Sequence, residues 1–158
     1  MHSSYVPLHL HTHYSLLDGA IRIDDMIEKA LEYKLAAISI TDHGNMFGAI
    51  EFYKKVSKAG LKPIIGCEVY VAPDSHLKKT SSNGKSETSF HLILLCKDIH
   101  GYQNLTRLVS KAYLDGFYYK PRIDKDMLSQ HSGGLIGLSA CLKGEVSFLL
   151  HKGMIDEA

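Results

Sequence analysis

Residues 8–13 have the sequence Leu8-His9-Leu10-His11-Thr12-His13. In an extended strand, successive side chains point to opposite faces, so the histidines would share one face and the leucines the other. Imidazole is the commonest metal ligand, and closely spaced imidazoles can bind one ion together. The alternatives are a histidine-rich surface strand or an engineered tag, although a tag is usually a longer uniform run. The stretch indicates a metal site at the edge of a core.

The composition is that of one ordinary globular domain. The chain has 158 residues, 45% of them hydrophobic and 22% charged, which suits a single core. A net charge of +1 does not by itself indicate a nucleic-acid partner, which would need a local basic patch. No run approaches the roughly 18 apolar residues of a membrane span, and no signal peptide opens the chain. The three cysteines are widely spaced, which favours reduced thiols in the cytoplasm: Cys67, Cys96 and Cys141.

Apolar patterns along the chain alternate between strand and helix. Strands are predicted at residues 5–11, 36–41, 62–72 (interrupted at Gly66), 90–96 and 135–139. Helices are predicted at residues 24–34, 49–56 (capped by Gly60), 103–114 and 124–130, and from residue 145 onward. This alternation predicts a parallel sheet or a (β/α) barrel. Residues 73–88 are polar and predict a mobile solvated loop, with DNA contact by its lysines as the alternative.

Five strands are fewer than the eight or so that usually close such a barrel. Either the sheet is open or the chain is a fragment whose last units are missing. Residues 154–158 resemble the middle of a helix, which favours the fragment. An open edge strand invites pairing with another copy, so we expect self-association.

Polar side chains collect after the predicted strands, where functional groups of parallel α/β folds gather. These residues are His9, His11, Asp42, His43, Glu68 and Cys141. Asp42 could instead cap the next helix, Glu68 could point outward, and Cys141 could be a small hydrophobic residue. His91 begins its strand, the wrong end if that strand is parallel, unless the preceding loop forms a hairpin. Imidazole, carboxylate and thiolate ligands suit Zn²⁺, Mn²⁺ or Fe²⁺, and a bridging Glu68 would hold two ions for phosphate-ester chemistry.

Longer motifs carry a resemblance to a known family. His9-Leu10-His11-Thr12, Thr41-Asp42-His43-Gly44, Gly66-Cys67-Glu68 and His91 resemble the motifs of the polymerase and histidinol phosphatase (PHP) superfamily. Four further stretches resemble the N-terminal PHP domains of bacterial DNA polymerase III alpha subunits of the DnaE type: residues 15–19 (SLLDG), 41–48 (TDHGNMFG), 116–124 (GFYYKPRID) and 138–145 (LSACLKGE).

The resemblance implies an α/β fold, a distorted (β/α)₇ TIM-like barrel of the PHP type, of which residues 1–158 form an incomplete N-terminal part. It also implies up to three divalent metal ions (Zn, Mn or Fe), with catalytic roles for His11, His43 and Glu68. The implied metal ligands are His9, His11, Asp18, His43, Glu68, His91 and Cys141. Asp42 would support the metal ligands or cap a helix, and His13 lies outside the motif. Lys120 and Arg122 would contact a phosphate, with an ordinary solvated loop as the alternative.

One motif of the family is absent from this sequence. The family has an Asp-x-His motif after the cysteine strand, whereas Asp98-Ile99-His100 comes too early and lies in a predicted turn. We therefore expect an incomplete metal site in this chain.

The resemblance implies that a parent enzyme extends DNA through domains beyond this stretch. The PHP domain itself would hydrolyse a phosphoester, at the 3′ terminus of DNA during proofreading or in pyrophosphate. The implied partners are DNA, a proofreading exonuclease and a sliding clamp, and no membrane. Two alternatives stay open, a free-standing PHP phosphatase and a non-catalytic barrel that docks a separate exonuclease.

Overall fold

The computed structural model describes residues 2–16, 18–79 and 89–158. Its strands form one open sheet in the order β1-β2-β3-β5, and β4 pairs with β2. The strands are β1 (Ala37–Ile40), β2 (Lys62–Val71), β3 (Phe90–Cys96), β4 (Arg122–Ile123) and β5 (Leu135–Leu138). The helices are α1 (Ile23–Glu32), α2 (Ala49–Lys58), α3 (Ile99–Leu114), α4 (Lys125–Gln130) and α5 (Glu145–His151). Within these residues, no helix is both long enough and apolar enough to cross a bilayer.

The predicted α/β fold is confirmed, and most helices and strands lie within a few residues of their predicted bounds. Gly60 follows the last turn of α2 with a φ of +77°, as expected of a glycine that ends a helix. The two-residue strand β4 was not predicted. The tail prediction was wrong, because α5 ends at His151 and residues 154–158 lie outside any helix. Of the predicted loop at residues 73–88, residues 80–88 lie outside the described residues.

The prediction of a parallel sheet was wrong for half of the sheet. β1 and β4 pair with β2 in parallel, but β3 is antiparallel to both β2 and β5. A parallel pair needs a long crossover, usually a helix, and the described residues between β2 and β3 contain none. The chain therefore returns beside β2 in the opposite direction. This reversal brings the start of β3 next to the end of β2.

Residues 5–11 do not form the predicted strand. They lie beside the end of β1, where the Thr41 amide donates to the Leu10 carbonyl at 2.9 Å. The Leu10 amide donates to the Thr41 hydroxyl at 2.8 Å rather than to a strand carbonyl. A side chain thus replaces part of the strand ladder, and of the two leucines in the alternating pattern only Leu10 packs against an apolar cluster of the core, while Leu8 is exposed.

Two apolar clusters form the core. The first packs α3 and α4 against β2, β3 and β4, with Leu105, Leu108 and Ile123 fully buried. The second packs α1 and α2 against β1 around Phe52 and Val56, which are also fully buried. The clusters fix the sheet between the helices and leave one end of β1 and β2 free for polar side chains.

Gly66 does not interrupt β2, contrary to prediction; the strand runs continuously from Lys62 to Val71. A Cβ at this position would lie 2.5 Å from the Leu94 carbonyl oxygen on the paired strand. Glycine is required here by the close approach of β3, not by a break in the strand.

We expect Gly66→Ala to lower the free energy of unfolding by about 1–3 kcal/mol, because backbone atoms of β3 must move. Urea denaturation followed by circular dichroism measures the change. Gly137→Ala in β5 is the matched control, since a Cβ there meets nothing within 4 Å. Equal effects of the two substitutions would contradict the packing argument.

Candidate metal centre

Glu68 is the centre of a polar cluster at the end of β2. Its side chain is only 1% exposed, yet four imidazoles approach its carboxylate. His9 and His11 approach Oε2 through their Nε2 atoms, at 2.8 and 3.6 Å. His43 and His91 approach Oε1 through their Nδ1 atoms, at 2.8 and 2.5 Å. A buried carboxylate is costly unless charges or donors surround it, and here imidazoles reach both of its oxygens.

The antiparallel pairing explains how His91 reaches this cluster. His91 is the cross-strand partner of Tyr70, two residues beyond Glu68 on the same face of β2. His43 comes from the loop after β1, where the Glu68 amide donates to the Asp42 carbonyl and the Gly44 amide donates to the Glu68 carbonyl. The hairpin alternative therefore holds for His91, and its position at the start of β3 is the favourable one.

The Asp42 side chain holds the His9–His11 segment in place. Its carboxylate is 1% exposed and accepts from the Thr12 amide at 2.6 Å, the Thr12 hydroxyl at 2.8 Å and the Ser15 hydroxyl at 2.6 Å. The capping alternative was wrong, because α2 begins at Ala49 after Gly48. Asp42 acts from behind the histidines, as a support for the segment that carries them.

We expect Asp42→Ala to lower the free energy of unfolding by about 2–4 kcal/mol, because buried donors of Thr12 and Ser15 lose a charged acceptor. Chemical denaturation measures the loss. Asp156→Ala, at an exposed position near the end of the chain, is the control and should change stability by less than about 0.5 kcal/mol. A loss no larger than that of the control would argue against the anchoring role.

The cluster divides into two three-residue groups that share Glu68. His9, His11 and Glu68 form one, and His43, Glu68 and His91 the other, with ligand atoms within 4.8 Å of one another in each. The carboxylate thus lies between both groups, the position that the sequence predicted for a bridging ligand.

Unsatisfied polar atoms indicate that the cluster fits a metal ion. His43 Nδ1 and Glu68 Oε1 are buried and lie 2.8 Å apart, yet their orientation gives neither a hydrogen bond. The Nε2 atoms of His9 and His11 lie 2.9 Å apart, and each neutral imidazole has only one N–H to donate. Convergent nitrogen and oxygen atoms without matching donors are the arrangement that a divalent cation satisfies. The donor set therefore fits divalent metal binding.

The other two predicted ligands lie at the edges of the cluster. The Asp18 carboxylate is largely exposed and lies 2.7 Å from His43 Nε2. The exposed Cys141 thiol lies 3.9 Å from His91 Nδ1. Each touches one histidine of the cluster but not Glu68 among the contacts of the described residues.

The electrostatics of the cluster favour a cation. Burial opposes ionisation of Glu68, but contact with His43 and His91 outweighs it and holds the pKa of the carboxyl far below its usual range. Burial, with the adjacent charge of His43, lowers the pKa of His11. Contact with Glu68 raises the pKa of His43 despite burial. At neutral pH the centre therefore contains a fixed carboxylate charge beside a neutral His11.

The two predicted phosphate contacts, Arg122 and Lys120, have different surroundings in the structure. Arg122 is 1% exposed, and its guanidinium donates to the carbonyls of Gly116, His76 and Lys78. These bonds hold residues 116–121, the connector before β4, against neighbouring loops, and Arg122 also lines a cavity beside the centre. Lys120, in contrast, places its Nζ 4.3 Å from the centre of the Tyr70 ring. Burial and the nearby charge of Lys143 lower the pKa of Lys120.

Two motifs that contain histidine lie outside the centre, as predicted. The exposed His13 ring packs against Tyr14, with the ring centres 4.4 Å apart. Asp98 caps α3 by accepting from the Gly101 amide, and His100 lies beside Asn104 on that helix. The Asp98-Ile99-His100 letters therefore reflect a helix start and not a ligand motif.

Tyr70 and Lys143 also lie beside the centre, and neither was predicted from the sequence. The Tyr70 ring lies edge-on to His91 with ring centres 5.1 Å apart, and parallel to His43 at 6.4 Å. Its spacing from Glu68 was an available signal, because residues i and i+2 of a strand share a face. Lys143 had no such signal, since its position depends on the loop that follows β5.

Comparison with known proteins agrees with the motifs. The N-terminal region of "DNA polymerase III subunit alpha" from Chlamydia trachomatis is 56% identical over 144 residues, covering 91% of this chain and 12% of that protein. The subunit from Borreliella burgdorferi is 52% identical over 157 residues, covering 99% and 14%. That from Thermus aquaticus is 49% identical over 156 residues, covering 98% and 13%. The chain spans about an eighth of the length of these relatives.

A family model described as "PHP domain" matches residues 7–158. This match includes all the histidines and carboxylates of the centre. The chain belongs to the PHP domain family.

Proposed function

We propose that this chain is the N-terminal part of the PHP domain of a bacterial DNA polymerase III alpha subunit, and that the domain hydrolyses phosphoesters with divalent metal ions. The observation that carries the hydrolytic proposal is the convergence of four imidazoles on the buried, ionised Glu68 carboxylate. DNA synthesis would belong to the remainder of the longer protein. The identity of 49–56% with alpha subunits supports that assignment.

Two groups of ligands around one carboxylate support two or more ions. His9, His11 and Glu68 would hold one ion, and His43, Glu68 and His91 another. Asp18 and Cys141 adjoin these groups and would complete them, up to the three ions of the family. Nitrogen-rich ligands favour Zn, Mn or Fe over calcium, which prefers oxygen ligands.

The residues of the centre perform distinct tasks. A bound divalent ion supplies Lewis-acid chemistry, activating water and neutralising charge on a phosphate. Glu68 would provide the charge that retains the ions, and His11 and His43 would be the ligands with catalytic roles. Asp42 holds the His9–His11 segment in register. Lys120 lies close enough to the centre to attract an anionic substrate.

The proposed substrate is the 3′ terminus of DNA, cleaved during proofreading, with pyrophosphate as the alternative. DNA and the other replisome subunits, including a proofreading exonuclease and a sliding clamp, would be partners through the full-length chain. The proposed setting is the bacterial cytoplasm. In the complete domain, further strands would extend the open sheet toward a distorted (β/α)₇ barrel.

Metal removal tests the function. We expect the full-length protein to contain bound transition metal and to shorten a 3′-labelled oligonucleotide. Chelation followed by dialysis should abolish the cleavage, and Mn²⁺ or Zn²⁺ should restore it. The reason is that the bound ion, and not the imidazoles alone, would activate water and neutralise charge on the phosphate. Elemental analysis and gel electrophoresis give the two readouts.

The outcomes separate the alternatives. Bound metal without cleavage of DNA or pyrophosphate would favour the non-catalytic barrel that docks a separate exonuclease. Hydrolysis of small phosphate monoesters but not DNA would favour a free-standing PHP phosphatase. Absence of bound metal would contradict the metal centre itself.

A further inference from the structure

A cavity of about 450 Å³ adjoins the metal centre and shares His91 with it. It is lined by residues 89–91 at the start of β3, by the connector and the first residue of β4, and by the loop between β5 and α5 with one residue of α5. Its polar and aromatic lining includes Tyr118, Tyr119, Lys120 and Lys143. A cavity that opens beside the ligands is where the remainder of a substrate would lie while its phosphate reaches the centre.

The loop that carries Lys143 is fixed to the metal centre through its backbone. The His91 amide donates to the Lys143 carbonyl at 3.0 Å, and the Gly144 amide donates to the Cys141 carbonyl at 2.9 Å. These bonds hold the Lys143 backbone beside His91, and its exposed side chain extends from there into the lining of the cavity.

Two ammonium groups line this cavity. Lys120 extends across the Tyr70 ring, which itself touches His91, and Lys143 enters from the opposite segment. Neither lysine forms an ion pair with a carboxylate among residues 2–16, 18–79 and 89–158. Two such cations beside a metal centre suit a phosphodiester, whose charge they would share with the ions.

Aromatic rings form the other side of the cavity. Tyr118 and Tyr119 lie edge to face, with ring centres 4.7 Å apart. The Tyr118 amide donates to the Lys120 carbonyl, and this tight turn places Tyr119 at a φ of +58°, a left-handed conformation that non-glycine residues rarely adopt. The turn leaves the Tyr119 ring 78% exposed at the cavity. An exposed aromatic ring is suited to stacking on a nucleobase.

We propose that this cavity is the subsite for the terminal nucleotide of single-stranded DNA, with Lys120 and Lys143 binding the phosphate and Tyr119 stacking on the base. The inference rests on the proposed phosphoester hydrolysis and narrows its substrate class. Pyrophosphate would use the lysines but has no base for the aromatic side. The nucleoside therefore distinguishes the two proposed substrates at this site.

Two chromogenic phosphodiesters test the base contact in the full-length protein. One is the 4-nitrophenyl ester of thymidine 5′-phosphate, and the other is methyl 4-nitrophenyl phosphate, which has no nucleoside. We expect Tyr119→Ala to raise KM for the thymidine ester roughly tenfold and to leave KM for the methyl ester unchanged. Tyr119→Phe should retain wild-type values, because the ring is kept. Lys143→Ala should raise KM for both esters.

The controls are Lys58→Ala, at an exposed position at the end of α2, and Tyr33→Ala, at an exposed position just after α1. Neither residue is part of the cavity lining, so both substitutions should leave the two KM values unchanged. Equal effects of Tyr119→Ala on both esters, or none on either, would overturn the inference while leaving phosphoester hydrolysis intact. Failure of the wild type to hydrolyse either ester with any divalent metal would instead count against the proposed function.

A cross-linking experiment decides the inference without catalysis. An oligodeoxynucleotide with 5-iodo-2′-deoxyuridine at its 3′ end is irradiated with the full-length protein in chelator, and cross-linked peptides are identified by mass spectrometry. We expect a cross-link at Tyr119 that is lost in Lys143→Ala. Cross-links confined to other parts of the protein would overturn the proposal.

Discussion

Glu68→Gln is expected to give a folded protein that has lost its metal and its hydrolytic activity. Glu68 belongs to both groups of ligands. The amide of glutamine removes the charge of its carboxylate while preserving its size. Loss of an outer partner of a metal ligand already costs about 10–100-fold in affinity. A shared ligand should cost at least about 100-fold in metal affinity, with activity falling on the order of 100- to 1,000-fold.

Elemental analysis and oligonucleotide cleavage measure the two effects in the full-length protein. Glu32→Gln is the control, because Glu32 is exposed on α1, where it pairs with Lys29. Circular dichroism verifies that the Glu68→Gln protein is folded. Wild-type metal content and cleavage in that protein would contradict the role of Glu68.

His11→Ala and His13→Ala should differ strongly although the two residues lie in one short stretch. His11 Nε2 lies 3.6 Å from the Glu68 carboxylate and 2.9 Å from His9 Nε2. The His13 ring lies away from the centre against Tyr14. We expect His11→Ala to reduce cleavage about 100-fold, because one metal ligand is lost. His13→Ala should retain activity within about twofold.

The same cleavage assay, repeated over a range of added Mn²⁺, separates binding from chemistry. A His11→Ala protein that recovers activity at high metal has lost affinity only, which supports a ligand role. Comparable losses in both variants would show that the whole stretch acts structurally, and the assignment of His11 would be abandoned.

The site was more predictable than the sheet that builds it. His9, His11, His43 and Glu68 are local signals, because each follows or ends an apolar run and needs only the rule that functional groups gather at strand ends. His91 needed more information, since its place depends on whether β3 is parallel. That direction is set by the connection to β2, and pattern alone does not encode it.

Two other differences arise from contacts with other segments of the chain. Gly66 resembled a strand break, but the structure shows that the Leu94 carbonyl occupies the space of a side chain. Such a contact between segments distant in sequence has no signature in the glycine itself. Arg122 was expected to contact a phosphate because it lies in the motif of residues 116–124, with an ordinary solvated loop as the alternative. Its burial depends on backbone carbonyls from other segments, which no sequence pattern reveals.

The segment that carries His9 and His11 is joined to the sheet chiefly through side chains. The Leu10 amide donates to the Thr41 hydroxyl and the Thr12 amide to the Asp42 carboxylate, in place of a continuous ladder. A segment held in this way can open locally while β2 and β3 stay paired, at a free energy below that of global unfolding. An ion bound between this segment and the strands β2 and β3 would raise the free energy of local opening, because its binding free energy must be lost when the segment opens. Bound metal would then stabilise the N-terminal segment reversibly against local opening. It would slow amide hydrogen exchange in that segment before it slows exchange in the core.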